Sequence, residues 1–201
     1  MPLSKSQKGA IGQFAFLSTA IVTGRGEVEV YVPVADNEGR DGQVRRHLKP
    51  SPGISVQIKT VLTLSMLGAK SRHYLKLSFQ LAANRIQADS RFWYFFGFYD
   101  PKELRLHDPS LLIPSDVFHK FGRARKSSGG KIWFTMEANL ERTSRDRWTK
   151  YRVAPKDLGK RLLEIVDSSA LTADVGAATA PAGAIWLGRK RTSSRRRLQR
   201  A

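Results

Sequence analysis

The chain has 201 residues, enough for one domain with a tail, and 41 % of it is apolar, enough to build a core. Its 35 Lys+Arg against 17 Asp+Glu give a formal charge of +18, which asks for a polyanionic partner, nucleic acid first and an anionic membrane surface second. The absence of cysteine excludes disulfides, thiol nucleophiles and thiolate metal sites, and four scattered histidines leave little for zinc, so only an oxygen-ligated metal stays open.

Residues 10–22 form an apolar run behind Lys5 and Lys8, a pattern that imitates a secretory leader. Gln13, Ser18 and Thr19 interrupt the run, and Ile11, Phe14, Ala15, Ser18, Ile21 and Val22 recur at i, i+3 and i+4. The spacing predicts a helix that buries this face, capped by Ser4 or Ser6 and ended by Gly24 or Gly26. A cytoplasmic protein is expected, and no window has the length of a membrane span. Residues 27–34 alternate charge with valine and predict a half-exposed strand. The segment ADNEGRDG (35–42) is a turn; it leads into a second strand over 43–48 with Val44, Arg46 and Leu48 on one face, and a Pro/Gly turn leads to a third over 54–62.

Further on, residues 73–81 predict a strand, 82–90 a polar connection, and FWYFFGFY (92–99) a central strand. Its near-continuous aromatic character points to core rather than to an exposed platform for stacking bases. A short helix is expected within 112–121, beginning at Pro114 and Ser115, then a strand over 131–140. A helix over 155–166 should turn Leu158, Leu162, Leu163 and Ile165 or Val166 inward. Gly129, Gly130 and Lys131 imitate a phosphate loop, but Arg125 and Ile132 stand where Gly and Ser/Thr are needed, so the glycines read as a plain loop. Residues 1–167 are thus one domain, 168–188 an Ala/Gly-rich linker and 189–201 a basic disordered tail. Within the linker, Ile185, Trp186 and Leu187 have the apolar surface of a short docking segment. The tail holds Arg189, Lys190, Arg191, Arg195, Arg196, Arg197 and Arg200 and no acid. Most of the excess charge lies before it, including the clusters Arg45, Arg46, Lys49 and Arg123, Arg125, Lys126, which are candidates to grip phosphates.

The residues that could carry chemistry are few: Gln13 on the first helix, Asp41 at the start of the second strand, and Gln57 with Lys59 in the third. In a strand, i and i+2 share a face, so Gln57 and Lys59 project together while Val56 and Ile58 face the core, and the hairpin partner can set Asp41 beside them. An acid, an amide oxygen and a lysine on one face suit metal-assisted phosphodiester hydrolysis. Asp41 and Gln57 would hold Mg²⁺ or Mn²⁺, and Lys59 would orient the attacking water or offset charge on the phosphoryl oxygens. Taken singly, an Asp in a glycine-rich turn and a strand lysine that reaches solvent identify nothing.

In their order, the helix with Gly9, Gly12 and Gln13, then VPVADNEGRDG, SVQIKT, FWYFFGFYDP and LLIPSDVF, the sequence resembles the PD-(D/E)XK nuclease superfamily over roughly residues 5–140. The variant is the one whose signature reads D…QxK, as in some homing-endonuclease-like bacterial members. The resemblance implies an α/β, restriction-endonuclease-like core: a central mixed β-sheet flanked by helices, in α-β-β-β-α-β order. It implies a metal-dependent DNA endonuclease, with Asp41 as the metal-binding Asp, Gln57 where most members carry Glu or Asp, and Lys59 as the signature lysine. Relatives commonly carry a Glu on the first helix, and Gln13 stands there. Asp36 or Glu38 could supply a second carboxylate, although both read as solvated turn residues. With one sure carboxylate, the alternative is a catalytically degenerate protein of this fold acting as a nucleic-acid-binding module. DNA is the expected partner and a membrane is not. A homodimer would suit cutting of both strands, yet no segment declares itself as the interface.

Overall fold

In the computed structural model, which describes residues 3–33, 40–49, 52–67, 72–83, 86, 89–127 and 129–173, the chain begins with α1 (Lys5–Thr23), β1 (Val28–Tyr31), β2 (Gly42–Arg46) and β3 (Ile54–Val61). It continues with β4 (Ser65–Leu67), β5 (Arg72–Ala82), β6 (Phe92–Asp100), β7 (Arg105–Leu106), β8 (Ser110–Pro114) and α2 (Ser115–Phe121). Strands β9 (Arg123–Lys126), β10 (Lys131–Asn139) and β11 (Arg152–Val153) and helix α3 (Leu158–Ala173) complete it. Asp36, Glu38, the Ile185, Trp186, Leu187 segment and the tail 189–201 lie outside the described residues.

Two sheets form. The first orders its strands β1-β2-β3-β6-β8-β11, with β7 paired to the end of β6; the second is β4-β5-β10-β9. The first is mixed, because β3 and β6 run parallel, Gln57 beside Tyr94 and Lys59 beside Phe96, while its other pairs are antiparallel. Strand β6 is buried from both sides. Phe95 meets α1 through Phe16, ring centroids 4.7 Å apart, in a core shared with Leu158, Leu162 and Val166 of α3. Phe92, Tyr94 and Phe96 meet Leu75, Leu77, Phe134 and Met136 of the second sheet and Phe118 of α2. The expected α/β core is therefore observed: a central mixed sheet with helices against it.

The element order departs from α-β-β-β-α-β. A parallel pair needs a crossover, and between β3 and β6 it is made by β4 and β5 of the second sheet, not by a helix. The only helix in the middle of the described chain, α2, starts at Ser115 as expected, but Ser110–Pro114 before it is strand β8, paired to β6. Strands β4, β7, β9 and β11 are too short to leave a periodic signal. The last helix begins as a 3-10 turn at Pro155–Asp157 and runs to Ala173, six residues into the stretch assigned to the linker.

Helix α1 is capped by Ser4, whose hydroxyl accepts from Gln7 N at 3.2 Å while Gln7 Oε1 accepts from Ser4 N at 2.8 Å, and it ends at Gly24. Its buried residues are Gly12, Phe16 and Ala20, not the Phe14, Ile21 and Val22 face that the spacing favoured. The small residues win because they bring the helix backbone close. A Cβ on Gly12 would stand 1.7 Å from Thr60 Oγ1 of β3, and one on Gly159 would stand 2.2 Å from Gly24 N, where α3 crosses the end of α1. Because the obstacle at Gly159 is backbone, Gly159→Ala should destabilise the fold by about 2 kcal/mol or more, read by chemical denaturation.

Tyr94 is fully buried and its hydroxyl shares a hydrogen bond with His119 Nε2 at 2.9 Å; burial pushes its phenol pKa up and pushes the His119 imidazole down, partly offset by Asp116. The folded state thus disfavours the His119 proton that the unfolded chain accepts near 6.5. Stability from this group is full above about pH 6.5 and falls as the pH drops toward the depressed folded value. His119→Gln, which does not titrate, should flatten that part of the stability–pH curve measured by urea unfolding.

Candidate active site

Strand β2 pairs with β3 as far as Gly42, opposite Val56, and there it leaves the ladder. Asp41, the next residue outward, keeps one backbone bond, its N–H donating to Val56 O at 3.1 Å. Its carboxylate replaces the backbone partner that β3 has lost. Asp41 Oδ2 accepts from Ile58 N at 2.7 Å and from Lys59 Nζ at 3.4 Å. From the other side Gln13 of α1 donates its amide to Asp41 O at 2.9 Å, so the residue is held at carbonyl, amide and side chain.

The period-two reading of β3 holds. Val56 and Ile58 lie in the core beneath α1, and Gln57 and Lys59 share the opposite face with Asp41. Lys59 is partly exposed, its Nζ 6.0 Å from the centroid of Phe79 on β5. Gln57 is 5 % exposed, and its Oε1 is sealed from solvent with no hydrogen-bond partner. A buried acceptor without a donor is costly. It is also what a hard cation requires, and a carboxylate and an amide oxygen match Mg²⁺ or Mn²⁺ in kind. The set is thin in charge: among the described residues no three of His, Cys, Asp or Glu come together. The Gln13 amide nitrogen donates to the Asp41 carbonyl, so this residue positions Asp41.

The basic clusters divide. Arg45 lies on the Asp41 face of β2, four residues along, about 13 Å at strand rise, and its guanidinium sits 5.5 Å from the Tyr31 ring centroid. Arg46 points to the other face and is engaged internally: Nε and Nη2 donate to the two oxygens of Asp167 on α3 at 3.0 and 2.5 Å, and Nη1 donates to Glu27. That pairing holds the Asp167 carboxyl below the usual range. Arg46 is a brace between β2 and α3 and not a free phosphate ligand. Lys49 is exposed beyond the strand. Arg123, Arg125 and Lys126 form β9, the edge of the second sheet, every residue exposed, with Arg123 3.3 Å from Glu137 Oε2. Arg40, which sequence reasoning left out, donates to Ser55 Oγ at 3.3 Å beside Asp41, and no periodic signal marks it. Gly129 and Gly130, at φ 69° and 67°, make the β9–β10 turn, as a plain loop should.

No family model and no curated protein matches this chain. Among solved structures it is similar to a bacterial homing endonuclease, with 16 % sequence identity, 84 % of this chain and 97 % of that one covered, and a TM-score of 0.48. No helix among the described residues is long and apolar enough to cross a membrane.

Because Gln57 Oε1 is buried without a donor, Gln57→Met, which keeps the volume and removes the polar atoms, should raise metal-free stability by about 1 kcal/mol in a denaturation experiment. A loss of stability instead would mean that the amide makes a structural contribution that outweighs its unmet oxygen.

Proposed function

We propose that the protein is a metal-dependent DNA endonuclease of the PD-(D/E)XK type, with Asp41, Gln57 and Lys59 at its centre. The observation that carries this reading is the divergence of β2 from β3, which leaves the Asp41 carboxylate bonded to Ile58 N and beside Lys59, on the strand face that also holds Gln57 with its orphaned oxygen. In the resting site Lys59 neutralises Asp41. With DNA present, the same ammonium is a donor for a phosphoryl oxygen or for the attacking water, and it offsets charge that develops in the transition state. Asp41 and Gln57 would hold Mg²⁺ or Mn²⁺, which when bound polarises the phosphate and acidifies a bound water. Gln13 fixes Asp41 through its carbonyl, and Arg45, Lys49 and the β9 residues Arg123, Arg125 and Lys126 supply contacts to the phosphate backbone.

One observation favours a second reading. Among the described residues the site holds a single carboxylate, and fewer anionic ligands bind Mg²⁺ less tightly, so a fold that keeps DNA and has lost cleavage is the rival. Incubating supercoiled and branched DNA with Mg²⁺ or Mn²⁺ at low and moderate salt separates the two. Wild type should nick, Asp41→Ala should not, and Lys59→Ala should be slower by roughly 10²–10³-fold, all with DNA affinity retained. Gln57→Glu should lower the Mg²⁺ concentration needed. Tight binding without cleavage by any of these proteins sinks the enzyme reading and leaves the binding module.

A further inference from the structure

The apolar stripe of α1 faces outward. Phe14 is 70 % exposed, Val22 74 % and Ile21 45 %. Ala10 and Ser18 are exposed on the same side, with half-buried Ile11 at its margin. From Gly9 to Gly24 the helix carries no charged residue at all. In a chain of net charge +18, a helix surface without Lys or Arg is not built for phosphate. Ile11, Phe14, Ser18 and Ile21 follow one another at spacings of three and four, the pattern with which one helix packs on another.

We propose that this face is a self-association surface, on which α1 packs antiparallel against α1 of a second copy about a two-fold axis. Three observations favour a second copy as the occupant. First, laying the uncharged stretch antiparallel on itself sets Phe14 against Ser18 of the partner subunit and Ile11 against Ile21 of the partner subunit. By symmetry each contact occurs twice, a large ring beside a small residue on both sides of the axis. Second, Lys8 then falls at the far end of the partner's uncharged stretch and Lys5 beyond it, whereas a parallel pair would set each lysine against its own copy. Third, an anionic membrane would call for basic residues along the stripe, and between Lys8 and Arg25 there are none.

The inner face of the same helix carries the candidate site, since Gln13 holds Asp41 O and Gly12 rests on Thr60. Resting on the nuclease reading, the two-fold pairing sets two sites in a fixed relation, which suits the two antiparallel strands of a duplex.

Sedimentation velocity of the full chain without DNA, at micromolar concentration and moderate salt, tests the surface. A two-chain mass is expected for wild type and a one-chain mass for Phe14→Glu, which should still unfold in one cooperative thermal transition because Phe14 is exposed in the single chain. The chain has no cysteine, so single Phe14→Cys and Ser18→Cys variants oxidised as a mixture should cross-link more than either alone. Preferential cross-linking of Phe14→Cys to itself overturns the antiparallel register. A one-chain mass for wild type at every concentration overturns the proposal, and so does monomeric wild type that binds anionic vesicles through Phe14, which would make the stripe a membrane contact. The nuclease reading fails separately: a two-chain mass without cleavage leaves the surface standing, and cleavage by a monomer leaves the enzyme standing.

Discussion

Burial of β6 on both of its faces is the constraint from which the rest follows. Phe95 on one side and Phe92, Tyr94 and Phe96 on the other cannot be satisfied by one layer, so α1 and α3 cover the first face and the second sheet with α2 covers the second. Strand β3, paired parallel to β6, inherits the same division. Val56 and Ile58 go under α1, and Gln57 is drawn beneath the second layer. The site forms where β2 leaves β3, and there Asp41 and Lys59 stay partly exposed while Gln57 does not. Its position is set by the open end of the β2–β3 ladder.

Such an edge suits a polar cluster. Asp41 substitutes for a strand partner with its side chain, and Lys59 leans on the Phe79 ring while facing the carboxylate. A site assembled from a side chain that replaces a ladder bond is rigid without being closed, because the backbone of β3 is fixed by β6 on its other side. The Asp41–Lys59 pair is neutral at rest, in a protein whose net charge is strongly positive. Within the Asp41–Lys59 pair there is no excess positive charge, and the long-range attraction for a polyanion falls to other residues such as Arg40 beside the pair and the exposed Arg45, Arg125 and Lys126.

Much of this was legible in the sequence. The period of two in SVQIKT placed Gln57 and Lys59 on one face, the aromatic run announced the central strand, and the glycine-rich turn before β2 brought Asp41 to them. What stayed hidden was mostly a matter of partners. The apolar residues of α1 were read as its core face because periodicity reports that a face is apolar and not what meets it; Gly12, too small to register, decided the contact with β3. Arg46 looked like its neighbour Arg45 until Asp167, far along the chain, claimed it. The crossover through β4 and β5 was missed because β4 spans only Ser65–Leu67, and so was the helical start of the stretch taken for a linker, where the mixed Ala, Ser and Thr composition suits helix or loop.

The seat of Gly12 on Thr60 also has a mechanical meaning. A helix packed through ordinary side chains can turn a little about its axis by trading rotamers, but one keyed into a strand at a position with no side chain cannot turn without driving a neighbouring residue into that strand. Helix α1 is therefore a shaft with a fixed azimuth, and Phe14 on its outside and Gln13 on its flank are rigidly geared to each other. A load applied to the Phe14 ring is delivered one residue away, through a single amide hydrogen bond, to the carbonyl of Asp41.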